Sequence, residues 1–369
     1  MFVERKRLQA DLNIFLGIVT ALVIIGLLFI YSASSVAALE LHGSPHYFLK
    51  KQLIGLVVGL IAFWLARTIP LSFIKSISPL LFISALALTA LTLVPALGSR
   101  IHGSARWLQL GSFSFQPSEL LKVAFVLYLA RFLDTHHYKA PTLKRYLTFL
   151  IIVGMASAVL LKQPDFGMTV TLSATAFLML FIVHANLWHL FITLLAALPV
   201  VAALIYFKPY RWQRILTFLN PWEDPQGAGF QIIQSLIAIG SGSWLGIGVA
   251  QSKQKFFYLP MQHTDFIFSI IAEETGFVGA TILILLYAML LYFGMRIAWQ
   301  LNDMFATLLT LGFVMLISLQ AVINIAVACG LVPTKGIGLP FVSYGNSALV
   351  GSLIMVGLIC NAVKNRKYV

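Results

Sequence analysis

The sequence predicts an all-α integral membrane protein with about ten transmembrane helices and one large outer loop between the seventh and the eighth. Of its 369 residues, 60% are hydrophobic and only 10% are charged, whereas soluble domains are about 45–50% apolar and about 25% charged. Apolar runs of about 20 residues, the length that crosses a bilayer as a helix, recur along the chain. Polar blocks long enough for a soluble domain are absent, so we expect residues 1–369 to form a single membrane domain.

Ten apolar runs define the predicted spans, and the first of them follows a basic N-terminal segment. This arrangement resembles a signal peptide, but the run Ile14–Tyr31 is longer than the core of about 7–15 residues that signal peptides have. We therefore predict an uncleaved first helix. Only short turns separate the fifth to seventh runs, so an odd number of spans is the alternative. The predicted spans are residues 13–34, 48–67, 75–97, 117–133, 146–162, 166–184, 187–207, 265–293, 304–329 and 339–362.

The distribution of Lys and Arg sets the predicted orientation. The net charge is +13, and the basic residues are most frequent at both termini and in alternate short loops. The positive-inside rule places these segments, and therefore both termini, in the cytoplasm. Anionic lipid headgroups account for basic loops between apolar spans, so we expect contacts with membrane lipids and no nucleic-acid binding.

Residues 208–264 form the longest predicted loop, which lies outside the membrane in this orientation. Apolar side chains between Phe230 and Ile239 recur on one helix face, and a run of glycines follows from Gly240 to Gly248. We expect a short amphipathic helix on the membrane surface and then a glycine-rich turn. Residues 256–260 then lead back into the bilayer.

Asp265 lies at the predicted outer end of the eighth span, in the sequence His263-Thr-Asp-Phe266. One interpretation is helix capping, with Thr264 as the N-cap and Asp265 in the first turn, where the helix dipole favours an acid. The other is a general base at the water–lipid boundary that takes a proton from a sugar hydroxyl. His263 and Asp265 could also bind a metal ion, but two ligands do not define a metal site.

Other ionisable residues lie inside the predicted spans, where they are costly and usually face a protein interior or a watery cavity. Glu119 and Lys122 are three residues apart, on one helix face, and can form an ion pair. A structural pair that holds helices together is as compatible with the sequence as a catalytic one. Helical periodicity allows Glu273, but not Glu274, to share a cavity with Asp265. The alternative for Glu273 is a carboxylate satisfied by a neighbouring helix.

The predicted outer loops carry basic side chains that suit a diphosphate ligand. Guanidinium groups bind phosphate as forks and ammonium groups bind it as point charges, while ordinary solvation is the alternative for each of them. Trp107 fits an anchor at the membrane interface. The basic residues are Arg100, Arg106, Arg211, Arg214, Lys253, Lys255 and Lys335.

A series of motifs runs in order along nearly the whole chain. They are Tyr31-Ser-Ala-Ser, Ala105-Arg-Trp-Leu, Gln116-Pro-Ser-Glu-Leu-Leu-Lys122, Gln163-Pro-Asp165, Asn220-Pro-Trp-Glu-Asp-Pro, Gln231-Ile-Ile-Gln-Ser, the glycine run, Tyr258-Leu-Pro, His263-Thr-Asp-Phe266, Pro333-Thr-Lys-Gly and Ser343-Tyr-Gly. In this combination the chain resembles the SEDS family (shape, elongation, division and sporulation), the polytopic peptidoglycan glycosyltransferases.

The resemblance implies a reaction, a location and partners. Members polymerise lipid II, a disaccharide-pentapeptide on undecaprenyl diphosphate, at the outer face of the cytoplasmic (inner) membrane. They work with a class B penicillin-binding protein, a transpeptidase. The family's essential outer-face aspartate matches Asp265, which would deprotonate the acceptor's GlcNAc 4-hydroxyl. That oxygen would attack MurNAc C1 of the donor and invert the α-diphosphate to a β-1,4 bond.

The resemblance also implies roles for the residues around Asp265. Basic residues or a divalent cation (Mg or Mn) would stabilise the departing diphosphate. Arg106 and Trp107 match an outer-loop signature, and Glu119 and Lys122 match a polar pair in the fourth span. The predicted substrate-binding residues are Arg106, Trp107, Arg211, Lys253, Lys255 and Lys335. The predicted supporting residues of the cavity are Glu119, Lys122, Glu273 and Ser343.

Some positions depart from the family pattern or leave alternatives open. Met261-Gln262 stands where an acid is frequent, so a second carboxylate beside Asp265 is missing and a paired metal site is disfavoured. Asn346 replaces a glycine after Ser343-Tyr-Gly, which reduces backbone freedom there. Pro333-Thr-Lys-Gly and Gln251-Ser-Lys-Gln-Lys255 favour the division type, while the short termini fit the elongation type. A lipid II flippase or other lipid transporter is the alternative function, and a scaffold for the transpeptidase is a third.

Overall fold

The computed structural model describes residues 2–95, 98–101, 104–110, 113–136, 143–183, 187–256 and 259–364. Most of this part of the chain is helical. The motif residue Tyr258 and the side chain of Arg100 lie outside the described part. The described helices are α1 (Phe2–His42), α2 (Tyr47–Thr68), α3 (Leu71–Leu91), α4 (Pro117–His136), α5 (Leu143–Lys162), α6 (Phe166–Ile182), α7 (Leu187–Tyr206), α8 (Pro209–Leu219), α9 (Phe230–Ser241), α10 (Ile267–Trp299), α11 (Met304–Ala328) and α12 (Asn346–Lys364).

Helices α1–α7 and α10–α12 coincide with the ten predicted spans. Among the described residues, seven helices are long and apolar enough to cross a bilayer. The all-α membrane fold is therefore confirmed, and the number of spans stays a prediction. One boundary error concerns α12, which begins at Asn346 and not at residue 339. The preceding segment is apolar because Leu339, Phe341 and Val342 are buried, and hydropathy does not distinguish a buried loop from a helix.

Two further boundaries were predicted wrongly. Helix α1 runs from Phe2 to His42, beyond both ends of the apolar run, because polar ends can continue a helix outside the bilayer. Helix α3 runs from Leu71 to Leu91, several residues earlier than predicted. Pro70 precedes its first turn, where the fixed φ of proline and its missing N–H are tolerated.

Aspartates fix the starts of two helices. The Asp165 side chain accepts a hydrogen bond from the Met168 N–H at 3.1 Å and caps α6. The Asp303 side chain accepts one from the Ala306 N–H at 2.9 Å and caps α11. Each cap satisfies an amide that the helix itself leaves without an acceptor. The cap at Asp165 also holds a carboxylate at the edge of the cleft described below.

The centre of the bundle is formed by α4, α10, α11 and α12, with α1 against α10, α2 against α12 and α3 against α4. Phe125, Phe313 and Ile359 are fully buried there. Outward apolar side chains such as Trp64 and Ile83 are more than half exposed, as expected for a surface that faces lipid. The bundle therefore buries its polar groups internally and presents apolar side chains outward.

A small antiparallel sheet, which the sequence analysis missed, follows α3. Its strands are β1 (Gly98–Ile101), β2 (Ser104–Leu110) and β3 (Phe113–Phe115), in the order β1-β2-β3. Arg106 lies in the middle of β2, and Trp107 pairs with Ser99 of β1. Because neighbouring side chains on a strand point to opposite faces, Arg106 and Trp107 face different surroundings.

The segment 208–264 is more structured than the sequence analysis predicted. It contains α8, a short 3-10 turn (Pro221–Glu223) and α9. The predicted helix over residues 230–239 exists, but it packs against α10 and α11 where we expected a membrane-surface position. Ile232 and Ile233 are buried, and Ser235 Oγ donates to the Ala328 carbonyl at 2.7 Å.

The glycine-rich segment after α9 completes a break in α10. Gly276 has φ +68° and ψ −166°, a conformation open only to glycine at low cost. The amides of Ile247 and Gly248 donate to the carbonyls of Glu273 and Glu274, both at 3.1 Å. Beyond the break, the Phe277 amide donates to the Ser243 carbonyl at 2.8 Å. Loop amides and carbonyls thus replace the hydrogen bonds that the broken helix loses.

Candidate active site

Asp265 lies just before α10, in a turn where the Thr264 and Phe266 amides donate to the Met261 carbonyl. The N-cap of α10 is Phe266, and it has no capping side chain. The capping interpretation of Thr264 and Asp265 is therefore wrong, because the helix begins two residues too late for it. The carboxylate of Asp265 is available for another purpose.

The backbone around Asp265 is held by the segment that precedes α12. Asn324 Nδ2 donates to the carbonyls of Asp265, at 2.8 Å, and Ile337, at 2.6 Å. Ser343 Oγ donates to the Thr264 carbonyl and accepts from the Leu339 amide. These contacts tie the turn that contains Asp265 to the 333–345 segment.

The Asp265 carboxylate and the Arg106 guanidinium both lie close to Gly336. A Cβ on Gly336 would stand 3.4 Å from Asp265 Oδ2 and 3.9 Å from Arg106 Nη1. Arg106 is itself oriented by loop 163–165: its Nη2 donates to the Pro164 carbonyl at 2.7 Å, and its Nη1 lies 3.5 Å from Asp165 Oδ2. A strand, a loop and a helix start thus bring two carboxylates and one guanidinium together.

Burial raises the pKa of Asp265 from 3.8 to about 6. The charge of Arg106 opposes this rise, that of Asp165 adds to it, and that of Arg214 opposes it. Removal from water disfavours the charged form of a carboxylate. A carboxylate with a pKa near 6 is largely ionised at neutral pH and remains basic enough to accept a proton in a reaction.

A basic cleft with a volume of about 140 Å³ lies beside this group. Arg214 Nη1 donates to the Thr334 carbonyl at 3.0 Å, and the cations of Arg211 and Lys335 lie 5.6 and 5.2 Å from the ring centre of Phe166. Burial lowers the pKa of Lys335. The charged residues in the lining are Arg106, Asp165, Arg211, Arg214 and Lys335. Four cations against Asp165 and the adjacent Asp265 make the cleft suited to an anion.

The structure brings Arg106, Arg211 and Lys335 to the cleft among the predicted substrate-binding residues. Arg214 also lines it, although the sequence analysis named it only among the outer-loop bases. Arg214 lies three residues after Arg211 on α8, and residues at that spacing lie on the same helix face. This spacing could have identified Arg214 as a binding residue. The sequence analysis named Asp165 only as part of a motif. In the structure its carboxylate contacts Arg106 and lines the cleft.

Three of the predicted binding residues lie elsewhere. Trp107, which neighbours Arg106 on β2, is not part of the cleft lining. Lys253 has an exposed side chain, while its amide donates to Glu273 Oε1 at 3.0 Å. Lys255 Nζ is buried 3.6 Å from Glu274 Oε1. Lys253 and Lys255 therefore belong to the loop that packs on α10 and not to the cleft.

The Glu273 side chain also binds that loop and does not face Asp265. Its side chain accepts hydrogen bonds from Ser252 Oγ and the Lys253 amide. Glu274 accepts from Ser32 Oγ at 2.6 Å and from the Ala250 amide at 2.9 Å. The predicted cavity role of Glu273 is therefore wrong, and both acids bind loop 250–253. Helical periodicity separated Glu273 from Glu274, but it could not reveal the loop that both side chains bind.

Glu119 and Lys122 form a buried ion pair with an N–O distance of 2.5 Å. Lys122 Nζ also donates to Gln320 Oε1 at 3.2 Å, and Gln320 Nε2 donates to the Gly338 carbonyl at 3.0 Å. The pair does not line the cleft. It reaches the site indirectly, because Gly338 belongs to the segment that holds Asp265.

Few of the described side chains near Asp265 could bind a metal ion. No group of three or more His, Cys, Asp or Glu side chains that could hold a metal occurs within the described residues. His263 packs between Phe48 and Tyr344, and burial lowers its pKa to about 4. The carboxylates at the cleft are Asp165 and Asp265, which fit a cation that also binds substrate phosphates, since Mg²⁺ commonly uses one or two carboxylates in this way.

The family model described as "Cell cycle protein", which covers FtsW, RodA and SpoVE proteins, matches residues 12–368. The chain belongs to this family. The match extends over every helix and loop that builds the cleft, so the SEDS resemblance drawn from the motifs is confirmed. Membrane embedding follows from the family and from the apolar helices.

Relatives and a solved structure place the chain within the SEDS family. Stage V sporulation protein E of Bacillus subtilis (strain 168) is 40% identical over 365 residues, covering 98% of this chain and 99% of that protein. The probable peptidoglycan glycosyltransferase FtsW of Thioalkalivibrio sulfidiphilus (strain HL-EbGR7) is 43% identical over 356 residues, covering 95% and 88%. The predicted division-type assignment is supported by such relatives, so the chain is a SEDS protein of FtsW type.

A solved chain from a study of structural coordination of polymerization and crosslinking by a peptidoglycan synthase complex has the same fold. It superimposes with a TM-score of 0.80 at 31% identity and covers 95% of this chain and 97% of that chain. The helical bundle described above is therefore the fold of that chain as well.

Proposed function

We propose that this chain is a peptidoglycan glycosyltransferase that polymerises lipid II at the basic cleft, with Asp265 as the general base. The observation that carries the proposal is the position of a buried carboxylate, with a pKa near 6, beside four cations. The names of the FtsW relatives support the same activity. We infer further that the cleft opens at the outer face of the cytoplasmic membrane and that both termini are cytoplasmic.

In the proposed reaction, Asp265 accepts the proton of the acceptor's GlcNAc 4-hydroxyl. The oxygen attacks MurNAc C1 of the donor, and the bond from C1 to the diphosphate oxygen breaks with inversion. The proton remains on Asp265 until solvent removes it. Asn324 and Ser343 hold the Asp265 backbone, which keeps the carboxylate in one position through the reaction.

The cations of the cleft act on the leaving group. Arg106, Arg211, Arg214 and Lys335 surround the space beside Asp265, and fixed positive charges stabilise the negative charge that develops on a departing diphosphate. Arg106 also lowers the pKa of Asp265, which keeps the base ionised at neutral pH. Arginine is well suited here because its planar fork binds two phosphate oxygens at once.

A divalent cation (Mg or Mn) and a class B penicillin-binding transpeptidase are further parts of the proposal. Asp165, with Asp265, supplies carboxylate oxygens at the cleft that would hold the cation together with substrate phosphates. When bound, the cation would neutralise part of the diphosphate charge. The transpeptidase partner is supported by the similarity to the synthase complex in which polymerization and crosslinking are coordinated.

The test is polymerisation of lipid II by the purified protein together with its transpeptidase partner. We expect Asp265→Asn, which keeps the shape of the side chain, to lose activity by at least about 100-fold, since general-base catalysis contributes about 10²–10⁴-fold. Glu223→Gln, at an exposed acid of segment 208–264, is the matched control and should retain activity. Full activity in Asp265→Asn would exclude the catalytic assignment. Lipid movement across liposomes without polymerisation would favour a transporter.

A further inference from the structure

An apolar groove lies between α7 and α8, next to the basic cleft. Its volume is about 520 Å³. The side chains that line it carry no charge and are, apart from the polar tips of one Tyr and one Trp, entirely apolar. They are Ala202, Ala203, Ile205, Tyr206, Trp212 and Ile215.

The groove and the basic cleft adjoin each other. Ile205 of α7 and Ile215 of α8 line both of them. On the cleft side, Ile215 directly follows Arg214 in the chain, and Arg211 lies one turn earlier. A ligand that extended from the cleft into the groove would therefore contact fixed cations and then a largely apolar surface.

The amphipathic pattern of α8 explains why these two surfaces adjoin. Arg211 is buried towards the cleft, whereas Trp212, Leu216 and Leu219 are 46%, 41% and 72% exposed. Helix α7 has α8 as its principal packing partner among the described helices, so the side of the groove away from the bundle stays open. A helix with cations on one face and apolar side chains on another lies along a membrane interface.

We propose that this groove binds the proximal isoprene units of the donor's polyprenyl chain while the diphosphate occupies the basic cleft. The inference rests on the proposed function and adds the direction in which the lipid leaves the site. Charge and polarity both match, because a polyprenyl diphosphate has a compact anionic head joined directly to an apolar chain. The sugar would then extend towards Asp265, whose Oδ2 lies 3.4 Å from the place that a Cβ on Gly336 would take.

The test measures binding of undecaprenyl diphosphate and of inorganic diphosphate to the full chain in phosphatidylcholine nanodiscs. Ala203→Trp fills the groove without touching the cleft lining. We expect it to weaken binding of undecaprenyl diphosphate by 10-fold or more and to leave binding of inorganic diphosphate within two-fold. Ala196→Trp, at an exposed position of the same helix, is the matched control and should bind both ligands like the wild type. Equal affinity of Ala203→Trp and wild type for undecaprenyl diphosphate would overturn the proposal.

A photoreactive undecaprenyl diphosphate with a diazirine in its second isoprene unit locates the chain directly. Labelling should map to residues 202–215, and unlabelled undecaprenyl diphosphate should compete with it. Labelling elsewhere, or equal competition by phosphatidylglycerol, would show that the groove does not select the polyprenyl chain. The labelling and the polymerisation assay are repeated with Asp265→Asn. Labelling of the groove without polymerisation would support both proposals. Polymerisation by this variant would refute the catalytic role of Asp265, and absence of labelling in the groove would refute the polyprenyl site.

Discussion

The Asn324 side chain fixes the backbone of Asp265 through a 2.8 Å hydrogen bond from its Nδ2 to the Asp265 carbonyl. The same amide donates to the Ile337 carbonyl. Asn324 is buried in the centre of the bundle on α11, so a residue of the core holds the backbone at Asp265. None of the motifs singled out in the sequence includes Asn324.

Replacement of Asn324 by alanine should lower kcat for lipid II polymerisation by about 10-fold or more, because small displacements of a catalytic group are costly. The two carbonyls lose their donor, and each buried group left without a partner costs about 1–3 kcal/mol. Ser318→Ala is the control on the same helix, since the Ser318 hydroxyl is buried with no hydrogen-bond partner. Unchanged kcat in Asn324→Ala, with folding verified by thermal denaturation, would contradict the positioning role.

The pH dependence of activity should report the raised pKa of Asp265. We expect kcat/KM to increase with pH, with a midpoint near pH 6, because the proposed base must be ionised. Arg106→Gln should move this midpoint upward, since the Arg106 charge lowers the pKa of Asp265. A midpoint that stays in place in Arg106→Gln would show that the titrating group is not Asp265.

The same shift has a consequence for stability. Because the pKa of Asp265 is higher in the folded state than in the unfolded state, its protonation favours the folded state. This contribution to the free energy of unfolding is complete below pH 3.8 and is lost as pH rises through about 6. Asp265→Asn removes the buried charge, so it should be more stable than the wild type near neutral pH, by about 3 kcal/mol for a shift of this size. The difference should vanish below about pH 4, as measured by denaturation at several pH values.

Substitution of a cleft cation should weaken substrate binding. Arg214→Gln is expected to raise KM for lipid II by about 10-fold or more, since hydrogen bonds to charged groups contribute about 1.5–3 kcal/mol. Lys253→Gln is the matched control, because the Lys253 side chain is exposed and its amide, which the substitution keeps, makes the contact with Glu273. A larger effect at Lys253 than at Arg214 would reverse the assignment of the binding surface.

The break in α10 should depend on its glycine. A Cβ on Gly276 would stand 2.3 Å from the Gly246 nitrogen, and the φ of +68° is strained for any other residue. Gly276→Ala should therefore destabilise the protein by about 2–4 kcal/mol. Gly154→Ala, where a Cβ meets nothing within 4 Å in the middle of α5, should stabilise it by about 0.5–1 kcal/mol. Thermal denaturation in detergent compares the two variants.

Hydropathy sufficed for the helices because burial in lipid depends on the local run of side chains. The positions of α2 and α4–α7 followed from such runs within a few residues. The start of α12 did not, because the apolar side chains of residues 339–342 belong to a loop that packs inside the bundle. Gln320 and Asn324 bind the residues just before this loop, at Gly338 and Ile337. The sheet around Arg106 was missed because its strands are short and lie between two apolar helices.

By itself the sequence determined the membrane character, the order of the helices and, through its motifs, the family, and it predicted Asp265 as the general base. Only the tertiary structure decided which charges act together. Arg106, Asp165 and Asp265 are far apart in the chain and meet at one cleft, while Lys253, Lys255 and Glu273 belong to a separate loop. The physical reason is that side-chain patterns record local burial, whereas the pairing of charges depends on contacts between distant segments.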